Sequence, residues 1–282
     1  MKIAIASGKG GTGKTTVATS LAFVASRAGR RVRLLDCDVE EPNCHVFLKP
    51  EIERREPVFV SVPDVDVTRC DGCGECAAIC QFKAISCLGK VVLTFPEMCH
   101  GCGACWLVCP KKAIRPGQRE VGVLEEGAAN GFRFTYGRLR VGEAMCPPLI
   151  REVKASIDGE ELAILDAPPG TACPMVTTVK NTDFVCLVTE PTPFGLHDLT
   201  LAVAVVRELG LPMGVVINRA DIGDRRAADY CQMEGIPLLA EIPDDWRVAQ
   251  VYSRGHIAAQ ALPELRPVFE RLLGELEKRM PR

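Results

Sequence analysis

The amino-acid sequence predicts an α/β fold built on a mainly parallel sheet and interrupted by a smaller inserted α+β module. Three observations carry this reading. A strand, a glycine-rich loop and a helix open the chain; short apolar strands alternate with helices in its second half; and eight of the 15 cysteines fall in two matching runs between Cys70 and Cys109. The 282 residues are 47% hydrophobic and 25% charged, a composition that can bury a core and excludes wholesale disorder. The net charge of −2 supplies no bulk field for holding nucleic acid or an anionic membrane.

In chain order, Lys2-Ile3-Ala4-Ile5-Ala6 reads as a buried strand, 15–28 as a helix closed by Gly29, and 31–35 as a second strand. Beyond the cysteine-rich stretch, 149–156 reads as a helix. Strands are predicted at 162–165, 184–189, 213–217 and 238–242, with helices at 196–209 and 225–234 between them. Strands apolar on both faces and alternating with helices imply a parallel sheet covered on both sides, with ligands at the strands' carboxyl ends. The expected organisation is one α/β domain from 1–57 and 146–282, an insert over 58–117, and connecting strands over 118–145. The helix at 264–280 carries Leu265, Val268, Phe269, Leu272, Leu273 and Leu276 on one face, the pattern of a helix docked on its own domain, not of a membrane tail.

No apolar run is long enough to cross a bilayer, and no signal-peptide core opens the chain. A cytoplasmic protein without stable membrane insertion is expected. Its thiols would then be reduced, so 15 cysteines point to metal ligation and not to disulfides.

Gly8-Lys9-Gly10-Gly11-Thr12-Gly13-Lys14-Thr15 fits G-x-x-x-x-G-K-[ST] and lies between an apolar strand and a helix, the context that motif requires. Backbone N–H groups around the loop and the helix N-terminus would hold phosphate oxygens. Lys14 would reach the β and γ phosphates and the Thr15 hydroxyl would ligate Mg²⁺, which makes the fold a P-loop NTPase. The carboxylate completing the magnesium site should end a neighbouring strand. Both Leu34-Leu35-Asp36-Cys37-Asp38 and Leu162-Ala163-Ile164-Leu165-Asp166 offer one.

With Lys9 ahead of Gly10-Gly11-Thr12-Gly13-Lys14-Thr15-Thr16, the loop is a deviant Walker A motif. The α/β flanks, about two thirds of the chain, resemble the MinD/ParA/Mrp family, which includes the nitrogenase iron protein. The resemblance implies slow, Mg²⁺-dependent ATP hydrolysis coupled to closure of a nucleotide-sandwich dimer, either a homodimer or a heterodimer with a paralogous ATPase. Lys9 and Lys14 then act on phosphates, Lys9 from across the dimer. Asp38 is the switch I residue that orients attacking water and lies near Mg²⁺ with Thr15 and Asp166. Asp166-Ala167-Pro168-Pro169-Gly170 is the Walker B and switch II segment, and Asn218 recognises adenine.

Within the insert, Cys70-Asp-Gly-Cys-Gly-Glu-Cys-Ala-Ala-Ile-Cys80 repeats as Cys99-His-Gly-Cys-Gly-Ala-Cys-Trp-Leu-Val-Cys109. This Cys-x2-Cys-x2-Cys-x3-Cys spacing is that of two-cluster bacterial ferredoxins, in which each [4Fe–4S] cluster takes its fourth ligand from the other run. One cluster is expected on Cys70, Cys73, Cys76 and Cys109, and the other on Cys80, Cys99, Cys102 and Cys105. Zinc is the alternative, but its knuckles pair Cys-x-x-Cys units instead of placing four ligands in a row. Pro110 follows the second run as in ferredoxins; Gln81 replaces proline after the first. The resemblance to the nitrogenase iron protein further suggests that Cys146 and Cys173 of two subunits could share a third cluster.

An ATP switch enclosing a ferredoxin suggests nucleotide-gated electron transfer to a partner redox protein. The alternatives are an Fe–S cluster carrier or assembly ATPase of Mrp type and a MinD/ParA-type positioning ATPase with structural or redox-sensing clusters.

Overall fold

The computed structural model of the chain describes residues 1–159 and 162–280. The described residues divide into two compact units. One comprises Met1–Arg55, Leu124–Arg138 and Ile150–Arg282; the other comprises Glu56–Val123 and Leu139–Leu149.

The first unit opens with β1 (Lys2–Ala6), α1 (Lys14–Arg27), β2 (Val32–Asp36) and α2 (Cys44–Leu48). Two long strands, β3 (Glu51–Val65) and β6 (Ile114–Ala129), each run from one unit into the other. Between them the second unit holds α3 (Glu75–Ile79), β4 (Ile85–Leu88), β5 (Val91–Thr94) and α4 (Ala104–Val108). The chain continues through β7 (Phe132–Leu139), α5 (Cys146–Ala155), β8 (Leu162–Asp166), α6 (Cys173–Val179), β9 (Phe184–Thr189) and α7 (Pro193–Glu208). It ends with β10 (Met213–Asn218), α8 (Arg226–Met233), β11 (Leu238–Ile242), α9 (Trp246–Ser253), α10 (Ala258–Ala261) and α11 (Arg266–Arg279).

The large sheet has the order β11-β10-β9-β1-β8-β2-β7-β6-β3. From β11 to β7 every neighbouring pair is parallel. Strands β1, β2, β8 and β9 are nearly all buried apolar residues, as a sheet covered on both faces requires. Helix α1 packs against α11, whose Phe269, Leu272, Leu273 and Leu276 are buried, so the C-terminal apolar stripe is spent on the domain core. Burying each such side chain contributes roughly 1.5–3 kcal/mol. No helix among the described residues is long and apolar enough to cross a membrane.

The predicted 118–145 connector is divided differently. Residues 124–138 complete the large sheet of the first unit, while 118–123 and 139–149 belong with the insert. The strand at 51–55 was also not anticipated. Its Glu51-Ile-Glu-Arg-Arg stretch is exposed and charged, and cross-strand ion pairs hold it: Arg54 to Glu126 at 3.3 Å, Arg55 to Glu125 at 3.2 Å, and Glu53 to Arg133 at 2.6 Å.

In the second unit the two cysteine runs adopt matching backbones. Each short helix starts after a left-handed glycine, Gly74 at φ 83° and Gly103 at φ 81°. Lys83 and Lys112, which follow the runs at equivalent places, both take positive φ. Helices α3 and α4 pack on each other, and Cys76, Cys105, Ile85 and Ile114 form the small core beneath them.

Candidate nucleotide site and cysteine centres

The loop between β1 and α1 lines a cleft of about 470 Å³ at the carboxyl end of the sheet. Gly10, Gly11, Gly13, Lys14, Thr15 and Thr16 reach it, together with Asp38, Pro169 and Asn218. Gly13 must be glycine: its φ is 96°, and a Cβ there would lie 2.3 Å from Asn218 Nδ2. That amide donates to the Thr12 carbonyl at 2.9 Å, so Asn218 props the loop as well as lining the cleft.

Gly8, Lys9 and Thr12 do not line the cleft. Gly8 lies against α7, where a Cβ would meet the Asp198 carbonyl oxygen at 2.0 Å. Lys9 is ion-paired with Glu190, which also faces the Arg219 guanidinium at 3.5 Å. Thr12 is buried.

Thr15 Oγ1 donates to Asp166 Oδ2 at 2.7 Å, the pairing of hydroxyl and carboxylate suited to holding one Mg²⁺ between them. Asp166 Oδ1 is buried without a hydrogen-bond partner. Asp36 and Asp166 sit opposite each other in register on β2 and β8. With Cys44 they place three potential ligand atoms within 4.8 Å of one another. Two carboxylates buried side by side resist double ionisation. Burial and the neighbouring Asp166 push Asp36 up to about 8, and burial raises Asp166 while Thr15 and Lys14 oppose the rise.

The two acids at the end of β2 are separated by their contacts. Asp36 accepts the backbone N–H groups of Asp38, Asn43 and Cys44 at 3.0–3.1 Å and so organises the loop leading into α2. Asp38 lines the cleft, with burial pushing its carboxyl up to about 6. A carboxyl at that value is half ionised at about pH 6 and mostly ionised at neutral pH, where it can accept a proton from a bound water. Pro169 lies at the cleft wall; Gly170, at φ 90°, donates its N–H to the Ser7 carbonyl at 3.1 Å. Pro168 is buried between Asp166 and Pro169 and does not reach the cleft.

The opposite wall was missed. Ile242 ends β11, Pro243, Asp244 and Asp245 follow it, and Val248 and Tyr252 come from α9. No motif marks them. Their only signal is position, since they extend from the carboxyl end of a parallel strand, where open α/β sheets bind ligands.

In the second unit, Cys70, Cys73, Cys76 and Cys109 line one small cavity, and Cys80, Cys99, Cys102 and Cys105 line another. Backbone N–H groups are aimed at sulfur: Ala113 at Cys109 and Ala84 at Cys80, both 3.3 Å, and Gly101 at Cys99, 3.5 Å. Burial raises Cys76, and pushes Cys105 up to about 11, so thiolates there require a cation to be favoured. The four cysteines of the two runs that line each cavity, with N–H support, fit a cuboidal iron–sulfur group. Cys173 is exposed at the start of α6, whereas Cys146 is 3% exposed at the start of α5. Only Cys173 therefore has the accessibility that a ligand shared between subunits needs.

Residues 3–258 match the CobQ/CobB/MinD/ParA nucleotide binding domain. An uncharacterized protein of Methanocaldococcus jannaschii, MJ0578, is 38% identical over 222 residues, 78% of this chain and 78% of that protein. The iron-sulfur cluster carrier protein of Aquifex aeolicus is 26% identical over 270 residues, covering 90% of this chain and 60% of that protein. Among solved structures, the septum site-determining protein MinD of Pyrococcus horikoshii, complexed with Mg-ADP, aligns with a TM-score of 0.64 at 21% identity, over 98% of this chain and 96% of that one. The glycine loop, the acids ending β2 and β8 and the matched span agree: the chain belongs to the CobQ/CobB/MinD/ParA family of nucleotide-binding proteins.

Proposed function

We infer that the chain is an Mg²⁺-dependent ATPase that carries two [4Fe–4S] clusters in its inserted unit and couples nucleotide state to iron–sulfur chemistry. One observation carries the reading. The eight cysteines of the two runs sort into two complete sets of four, each around its own cavity, in the crossed pattern of a two-cluster ferredoxin. In the nucleotide cleft, Lys14 neutralises phosphate charge, Thr15 and Asp166 hold Mg²⁺, and Asp38 orients the attacking water. Lys9, paired with Glu190 in the single chain, reaches a partner's phosphates when a homodimer or a heterodimer with a paralogue closes.

Two uses of such clusters follow. Cluster carriage is favoured by relatives named as iron-sulfur cluster carriers and a cytosolic Fe-S cluster assembly factor. The exposed Cys173 supports it as a candidate for a transferable site. Electron transfer to a redox partner protein is the second reading and rests on the cysteine arrangement alone, because complete four-sulfur sets with N–H support suit retention. The deciding experiment mixes the reconstituted, MgATP-loaded chain with a cluster-free acceptor apoprotein. Iron moving to the acceptor, and failing to move from a Lys14→Ala variant, supports carriage. Iron retained on the chain while its clusters, reduced beforehand and freed of excess reductant, pass their electrons to an oxidised dye supports electron transfer. A chain that binds neither ATP nor iron overturns both.

A further inference from the structure

The two cysteine cavities are not equivalent. The first is lined by a fifth cysteine, Cys87, in addition to Cys70, Cys73, Cys76 and Cys109; the second is lined by four cysteines, with Pro63 on its wall. Cys87 lies on β4 two residues after Ile85, and in a strand that spacing puts both side chains on one face. Ile85 is 1% exposed in the small core with Cys76 and Cys105, so Cys87 faces inward with it. The turn joining β4 to β5 rests directly on the first cysteine loop. A Cβ on Gly72 would meet the Gly89 carbonyl oxygen at 2.4 Å, and the Cys87 thiol donates toward the Gly72 and Gly89 carbonyls at 3.5 and 3.1 Å. The internal repeat makes the asymmetry legible in the sequence: Lys83-Ala-Ile-Ser-Cys87 corresponds to Lys112-Ala-Ile-Arg-Pro116, so a proline stands in the second half where the first has a thiol.

We propose that Cys87 is a reserve ligand of the first iron–sulfur site, able to replace one of the cysteines of the Cys70–Cys76 loop. The inference rests on the two-cluster reading above. Exchange forms one Fe–Sγ bond to Cys87 as one Fe–Sγ bond to a loop cysteine breaks. The Cys87 thiol gives its proton to solvent, the displaced thiolate takes one up, and no electron changes hands. The consequence is a first site that survives loss or oxidation of one primary ligand and a second site that does not.

The test uses the full chain, reconstituted anaerobically with iron and sulfide and desalted, with iron and sulfide counted per chain and the EPR spectrum of the dithionite-reduced protein recorded. Wild type and Cys87→Ala should both hold about eight iron atoms, since the primary ligands are intact. Cys76→Ala should also stay near eight, with an altered EPR signal from the first site. Its counterpart in the second half, Cys105→Ala, should fall to about four, as should Cys76→Ala/Cys87→Ala. Cys73, which is exposed, provides a second pair, Cys73→Ala with and without Cys87, whose substitution disturbs no buried packing. If both loop variants drop to about four iron atoms with Cys87 present, the reserve-ligand role is overturned. If wild type itself binds no iron–sulfur group, the two-cluster reading fails instead, and the two failures are told apart by that control.

Discussion

Replacing Asp166 with asparagine should stabilise the metal-free protein while removing its use of Mg²⁺. Asp36 and Asp166 are 0% and 2% exposed, and face each other in register. Burial and Asp166 together push Asp36 up to about 8 from 3.8. A carboxyl whose folded value lies above its unfolded value contributes its full share of stability only below about pH 4, and that share is lost as pH rises toward 8. At pH 7 the loss for Asp36 is at most about 4 kcal/mol, from some three pH units at 1.36 kcal/mol each. Two unit charges no more than 4.8 Å apart repel by about 3 kcal/mol or more at an effective dielectric constant of 20. Asp166→Asn removes that repulsion and keeps an oxygen to accept the Thr15 hydroxyl. The expected gain is about 1–3 kcal/mol at pH 7.5 in chelator, or roughly 2–10 °C in midpoint, shrinking toward pH 5 as both carboxyls protonate. Thermal unfolding in EDTA at pH 5, 6.5 and 8 measures it, alongside Mg²⁺-dependent ATP hydrolysis, which the variant should lose. A variant less stable than wild type at pH 8, or a gain that does not grow with pH, would refute the reasoning.

Gly13→Ala places a methyl group on the Asn218 amide and forces a left-handed backbone on alanine. Strain and the disturbed Asn218–Thr12 bond together cost about 2 kcal/mol, so ATP should bind roughly 30-fold more weakly by calorimetry. On the proposed role of Lys9 in a closed dimer, Lys9→Ala should leave MgADP affinity within a few-fold yet lower hydrolysis by about 100-fold or more; equal losses in binding and turnover would contradict this. Gly72→Ala, whose Cβ would meet Gly89 O at 2.4 Å, should lower bound iron from about eight to about four atoms per chain. Gly101→Ala, whose nearest contact is Ser61 O at 3.2 Å, should retain more.

The nucleotide loop was legible because its chemistry is local. Residues 8–15 supply the turn and the helix start from one continuous segment, and the candidate sulfur ligands are likewise local, their spacing and repeat contained in Cys70–Cys109. What the sequence did not disclose depends on residues brought together from far apart. The strand at 51–55 is exposed and charged, and it becomes a strand through partners at Glu125, Glu126 and Arg133. The wall formed by Ile242 to Tyr252 has no motif and acquires meaning only beside the loop at Gly13. Asp36 and Asp38 are two residues apart on one strand end, yet the first is spent on backbone N–H groups and the second lines the cleft. The pairing of Lys9 with Glu190 spans 181 residues and leaves no local trace.

The central claim, that nucleotide state and iron–sulfur chemistry are coupled in one chain, is tested most directly by an anaerobic EPR redox titration of the reconstituted protein. Iron and sulfide are counted first, and the titration is run without nucleotide, with MgADP and with MgATP. The account predicts about eight iron atoms per chain and signals or midpoint potentials that shift between the MgADP and MgATP states. Eight iron atoms whose spectra and potentials are the same in all three conditions would contradict the coupling.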